Sequence, residues 1–436
     1  MSSARALLLS FLLPLALAAQ SQSPAKQALK AARLIDGKTD TAVSNVVVVV
    51  ESGKITAIGH EVPPGATVID LGDATLLPGL IDAHTHLLDE INGADLDRQD
   101  VAMLTEVATQ STAERALRGV RLAREELEAG VTTVRDLGNS GVNGDVALRD
   151  AIRRGWIVGP RIIAATRALA APGGQFGRLI PEAQKIIEQE YVTIAGAESA
   201  RQAVRQALYD GADCIKVIVN GSPADVTLEE MKAIVVAAHA SHVKVAAHAI
   251  GNSATRTAAE AGVDSIEHAY TVPDDVLKMM AQKHIFLVPT DVTLPNILDM
   301  AFGGGSHTAE ERSAFEKQVK PYVEGSADRL RRAIKFGVPI AFGSDMYLTM
   351  PGKTRGQASL QAFSAYAETG LTPMQIIRAA TSSAAELLGL QDQLGALESG
   401  KEADIIAVPG DPLRDYRLLQ QAKFVMKGGA IVKDLR

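Results

Sequence analysis

Between about Leu77 and Leu390 the chain alternates short apolar runs with stretches of helical periodicity, and this alternation restricts the fold more than any other feature. Apolar runs of four to eight residues suit strands buried on both faces, and parallel strands of that kind need helical crossovers between them. One run opens at Leu77, and the others fall at 132–137, 161–166, 214–219, 244–248, 265–268, 285–289 and 339–343. Between them the helical signals are good. Ala116, Val120, Ala123 and Leu127 keep helical spacing before Gly130, Thr227-Leu228-Glu229-Glu230 is a capping box, and Thr372-Pro373 starts a helix with a cap residue and proline in the first turn. Eight such units predict an α/β fold, a (β/α)8 TIM barrel over 77–390.

The two ends are rich in strand signals instead. Val46 to Val50, the turn Glu51-Ser52-Gly53-Lys54 and the run from Ile55 read as a hairpin, and 403–408 and 424–432 look similar. Residues 27–76 and 391–436 are therefore expected to form one composite β-sandwich domain. Ahead of them, Arg5, the apolar run from Ala6 to Leu17 and Ala16-Leu17-Ala18 make a secretory signal peptide over 1–18. It implies a periplasmic or secreted protein with no membrane span once the signal is removed. The single cysteine, Cys214, excludes an intrachain disulfide and reads as a small apolar filler. A net charge of −7 without any basic run argues against a nucleic-acid partner and leaves a small molecule.

Chemistry enters with Leu77-Pro78-Gly79-Leu80-Ile81-Asp82-Ala83-His84-Thr85-His86. Side chains two apart on a strand point the same way, so His84 and His86 offer half a metal site. In a parallel barrel the functional groups sit at the C-terminal strand ends. Those ends carry His84 and His86, then Lys216, His248, His268 and Asp345. His239 and His242 read as a solvated helix face, and His60, His284 and His307 match no motif. No G-x-S-x-G occurs.

With these marks the chain resembles the amidohydrolase superfamily, binuclear-metal branch, from about Gln27 to the end. Further marks are Gly130-Val131-Thr132-Thr133-Val134-Arg135-Asp136, Ile266-Glu267-His268, Gly343-Ser344-Asp345, the run from Ala380 to Gly389, and Gly400-Lys401-Glu402-Ala403-Asp404. The resemblance implies two divalent ions, Zn by preference. His84, His86 and Asp345 would hold one and His248 and His268 the other, with Lys216 bridging them as a CO2-derived carbamate. It also implies a hydroxide shared by the ions and a catalytic Asp345 that takes its proton and passes it to the leaving amine.

Within the superfamily the chain is most similar to the imidazolonepropionase-like group, which includes exported Xaa-Pro or Xaa-Arg/Lys dipeptidases and ochratoxin A-hydrolysing amidohydrolases. The implied activity is hydrolysis of the amide in N-acyl or aminoacyl L-amino acids, with an apolar amino acid released. Ochratoxin A, cut to phenylalanine and a coumarin acid, falls in that class. A cyclic-amide (imidazolone or hydantoin-like) hydrolase is the alternative. A deaminase of this fold usually lacks the strand-four lysine, so Lys216 argues against one. Many relatives carry Gly-Gly-His-Gly where this chain has Gly173-Gly174-Gln175-Phe176-Gly177, and that departure weakens inference about the substrate. Gln175, Asn220 and Tyr270 are the candidate substrate contacts. The long connections 171–199 and 291–329 are candidate lids, and a homo-oligomer is expected.

Overall fold

A computed structural model of the chain describes residues 26–176, 178–221, 224–303 and 307–436. The signal-peptide expectation lies outside the described residues, as do Gly177, Gly304 and Gly305. Five strands come first: β1 (Gln27–Leu34), β2 (Val43–Glu51), β3 (Lys54–Gly59), β4 (Thr67–Asp70) and β5 (Ala74–Pro78). The valine run makes β2 a strand, and Val46 to Val50 are all buried because the run is apolar on both faces. Ser52 and Gly53, at φ 54° and 81°, supply the two positive angles that a two-residue hairpin needs.

The middle of the chain contributes nine strands: β6 (Leu80–Thr85), β7 (Val131–Asp136), β8 (Arg161–Ala164), β9 (Ala168–Ala170), β10 (Tyr191–Thr193), β11 (Cys214–Ile218), β12 (Lys244–Ala249), β13 (Ser265–His268) and β14 (Phe286–Val288). They form two parallel sheets, β6-β7-β8 and β10-β9-β11-β12-β13-β14. Hydrogen bonds join the sheets on both sides. Asp213 donates its backbone N–H to the Ala164 carbonyl at 2.7 Å. Across the other gap, Leu287 N–H reaches the Pro339 carbonyl at 2.9 Å and Ala83 N–H reaches the Phe342 carbonyl at 2.8 Å. The run expected as a strand at 339–343 therefore lies between β14 and β6, although it makes only an isolated bridge. Pro339 has no N–H to give a ladder. The third expected strand, 161–166, stops at Ala164 because Thr166 turns to φ 61°.

Helices cover these sheets. The Thr112–Glu128 helix begins at a Ser111/Glu114 capping box and buries Leu122, Ala123 and Leu127. The connection expected at 291–329 holds two helices, Leu294–Phe302 and most of Ala309–Phe336.

The last strands, β15 (Ile405–Pro409), β16 (Phe424–Lys427) and β17 (Ala430–Asp434), return to β5, so both ends of the chain do share one mixed sheet. Its order is β17-β16-β15-β5-β1-β2-β3, with β4 beside β1. The strands are continuous in hydrogen bonding, where two separate layers were expected. The sheet curls far enough for the β2–β3 hairpin to reach the C-terminal segment, Ile55 N–H bonding the Lys401 carbonyl at 2.9 Å. Leu29, Val48, Ile55, Ile405, Phe424 and Met426 fill the curl.

One buried acid makes the fold sensitive to alkali. Glu126 is fully buried, accepts a 2.5 Å hydrogen bond from Ser359, and has its carboxyl pushed up to about 8 by desolvation and then by the charge of Asp82. The folded state thus holds this proton more tightly than the unfolded chain does. Its stabilising contribution is complete below the ordinary carboxyl range and is lost as pH rises through about 8. Glu126→Gln is expected to melt like the parent near pH 5 and at higher temperature than the parent at pH 9, as followed by calorimetry.

Candidate metal centre

The C-terminal ends of β6, β11, β12 and β13 converge with the segment after Gly343. Asp345 is drawn in by its own N–H, which donates to the His84 carbonyl at 2.7 Å. Gly343 permits this approach, since a Cβ there would lie 2.8 Å from the His84 Cβ and 2.3 Å from Val288 Cγ1. Positive φ angles gather at these ends: His268 69°, Thr290 54° and Asp345 52°. Such angles cost about 1–3 kcal/mol each in non-glycine residues and persist where the surroundings impose them.

The imidazoles are aimed by what they hold behind them. His84 Nδ1 donates to Glu267 at 2.8 Å and His86 Nδ1 to the Gly138 carbonyl at 2.8 Å. Each therefore turns Nε2 to a common point, 3.3 Å and 3.1 Å from Asp345 Oδ1. Lys216 Nζ lies 3.4 Å from His84 Nε2. His268 is bonded through Nδ1 to Thr290 Oγ1 at 2.7 Å, and its ring centroid lies 4.6 Å from that of His248 and 5.0 Å from that of His84. All six residues expected as ligands are thus brought together. One donor atom each from His84, His268 and Asp345 lies within 4.8 Å of the other two.

Burial sets the protonation. Desolvation lowers His248 to about 3 and drives His84 and His268 well below the usual imidazole value. Burial also works to lower His86, but the hydrogen bond and charge of Asp345 outweigh it and raise this group. Burial would raise Asp345, yet the charges of its imidazole and ammonium neighbours hold it below the usual carboxylate range. Desolvation brings Lys216 down to about 8. Three imidazoles held neutral by burial beside an ionised carboxylate suit a divalent cation, so the donor set fits a metal centre.

The candidate substrate contacts divide. Gln175 and Tyr270 both line a cavity of about 550 Å³ over the centre. The Gln175 carboxamide lies 3.3 Å from the Tyr191 hydroxyl and 3.5 Å from His248 Nδ1. The Tyr270 hydroxyl is 3.0 Å from Thr290 Oγ1. Asn220 is engaged by backbone instead. Its carboxamide donates to the Ile250 carbonyl at 2.6 Å and accepts from Ile250 N–H at 2.9 Å, so it clips the ends of β11 and β12 together. The Cys214 thiol, pushed up to about 12 by burial, is an inert filler as expected.

Sequence reasoning carried Glu267 and Arg135 only as motif marks and missed that they pair. Both are completely buried, and Arg135 Nη2 meets Glu267 Oε1 at 3.0 Å while Glu267 Oε2 holds His84. A signal existed, since one acid and one base inside apolar strands are seldom buried except as partners.

Residues 75–432 match the Amidohydrolase family, and the chain belongs to it. The ochratoxinase of Aspergillus niger is 32% identical over 388 residues, which cover 82% of this chain and 75% of that protein. The imidazolonepropionase of Aliivibrio salmonicida is 29% identical over 411 residues, 85% of this chain and 90% of that protein. The crystal structure of a Xaa-Pro dipeptidase with methionine bound in its active site superposes with a TM-score of 0.78 and 30% identity, over 93% of this chain and 99% of that one. The protein is a hydrolase acting on amide bonds.

Replacing Glu267 by glutamine removes the charge that orients His84. Metal affinity is expected to fall about 10- to 100-fold in a competitive chelator titration. Asn220→Ala should leave that affinity unchanged.

Proposed function

We propose that the chain hydrolyses the amide bond of N-acyl or aminoacyl L-amino acids and releases the amino acid, as a carboxypeptidase or dipeptidase would, and that ochratoxin A is among its substrates. The observation that carries this reading is the meeting of four imidazoles, Lys216 and Asp345 beneath an apolar cavity. The similarity to an ochratoxinase and to a dipeptidase that holds methionine supports an apolar released residue. Leu96, Met103, Ile297, Met300 and Leu348 line the cavity and match such a side chain.

In this reading His84, His86 and Asp345 would hold one divalent ion, most simply zinc, and His248 and His268 a second. Lys216 would contribute as a carbamate, which its lowered affinity for a proton favours, since the neutral amine is the form that adds CO2. When bound, the ions acidify a water toward neutrality and polarise the scissile carbonyl. The remaining work belongs to the chain. Asp345, an ionised carboxylate at neutral pH, accepts the water's proton on a carboxylate oxygen and delivers it to the leaving nitrogen. The Tyr270 hydroxyl and the Gln175 carboxamide orient the substrate, and the apolar wall excludes water.

The same reading takes residues 77–390 as a (β/α)8 barrel closed by 339–343, with 27–76 and 391–436 as a composite β domain beside it. It takes 1–18 as a signal for export to the periplasm or medium, and the mature enzyme as a homo-oligomer. Among the described residues no helix is long and apolar enough to cross a membrane. The similarity to an imidazolonepropionase favours one other reading, hydrolysis of cyclic amides.

A panel of N-acyl amino acids, dipeptides and ring amides, scored for freed amino acid, separates the two. Release from N-acyl phenylalanine that stops on chelation and returns with divalent metal is the expected result. Turnover of ring amides alone, or turnover that survives chelation, contradicts it. Lys216→Ala is expected to lose activity and bound metal together, with partial recovery in added formate or acetate.

A further inference from the structure

The helix Ala309–Phe336 is 28 residues long, and its two halves are packed differently. Its buried side chains, Ser326, Arg329, Leu330 and Ala333, all belong to the second half. Arg329 anchors that half through a buried 2.5 Å ion pair with Asp291, in the segment that follows β14. In the first half, residues 309–325, no side chain is buried. Yet Phe315, Gln318, Val319 and Tyr322 all line the cavity over the metal centre. Their spacing is i, i+3, i+4 and i+7, a single stripe of the helix surface.

A stripe of this kind normally packs on a core. Among the described residues its ring contacts are the Phe302 ring, 5.3 Å from Phe315, and the Tyr270 ring, 4.8 Å from Tyr322. Tyr322 is 42% exposed. The rest of the stripe faces the cavity, so an apolar group placed there would complete the packing. Pro321 stands five residues before the first of the buried side chains, Ser326. It has no N–H for the carbonyl four residues earlier, and its ring crowds that turn, which loosens the helix at one point. Gly325, open on its side-chain face, follows within a turn.

We propose that residues 309–322 form a hinged apolar flap, and that Phe315 and Val319 on its inner face select substrates with a ring-bearing apolar portion. The inference rests on the amide-hydrolase reading and adds the element that sets its specificity. Closure over an apolar ligand buries the stripe, and a small substrate gains nothing from it.

Two measurements on the metal-loaded protein test this. The first compares N-naphthoyl- with N-acetyl-L-phenylalanine. In the combined variant Phe315→Ala, Val319→Ala, the preference for the naphthoyl substrate, as a ratio of kcat/KM, is expected to fall about tenfold through KM. An unchanged ratio overturns the flap as a specificity element, because a merely structural loss lowers both substrates alike. The second is amide hydrogen exchange with saturating N-naphthylsulfonyl-L-phenylalanine, whose sulfonamide is not an acyl amide. Exchange is expected to slow over 310–322 and to stay unchanged over 326–336. Equal slowing of both halves, no slowing, or failure of this probe to bind overturns the proposal. If no substrate of the panel releases an amino acid, the functional reading fails, and hydrogen exchange still decides the flap.

Discussion

Arg135 and Glu267 meet at 3.0 Å where neither side chain reaches solvent, and each is held by more than the other. Arg135 also donates to the Ala83 carbonyl at 2.6 Å and to Ser265 Oγ at 3.2 Å. Glu267 takes the Nδ1 proton of His84 on its second oxygen. Three strands, β6, β7 and β13, are thereby pinned to one another beneath the candidate metal centre. Breaking a buried pair by removing one partner costs about 3–5 kcal/mol, because the other charge is stranded. The geometry above the pair depends on it, since it selects the His84 tautomer that leaves Nε2 free.

The sheet built from both chain ends holds the same strand from its other end. β5 runs through Gly79 directly into β6, and Gly79 donates its N–H to the Asp404 carbonyl at 2.8 Å. A side chain at Gly79 would collide with Thr132, its Cβ falling 2.2 Å from the hydroxyl oxygen. β15 pairs with β5 in the register Ile405 to Pro78. Residues more than 300 positions apart thus fix where the His84 strand begins, and the buried pair fixes where it ends.

Most of the strands were legible because they are buried on both faces and carry short apolar runs, whereas β9 and β10 were not expected and 339–343 makes only an isolated bridge. The candidate site was legible because strand ends are where such folds place chemistry, and His84, His86, Lys216, His248, His268 and Asp345 come together there. Position after a strand does not by itself say where a side chain points, and Asn220, just after β11, turns its carboxamide to the Ile250 backbone. The Arg135–Glu267 pair escaped notice because its members lie 132 positions apart. The helix behind the 291–329 connection was hidden for a related reason. Its first half turns its apolar stripe to a cavity, so its composition is that of an exposed segment.

Anomalous diffraction from crystals grown with zinc tests the central claim most directly. The account requires two cation peaks, one against His84, His86 and Asp345 and the other against His248 and His268, with a carboxylated Lys216 between them. No peak at this point, or cations bound elsewhere while the six side chains stay empty, would contradict it.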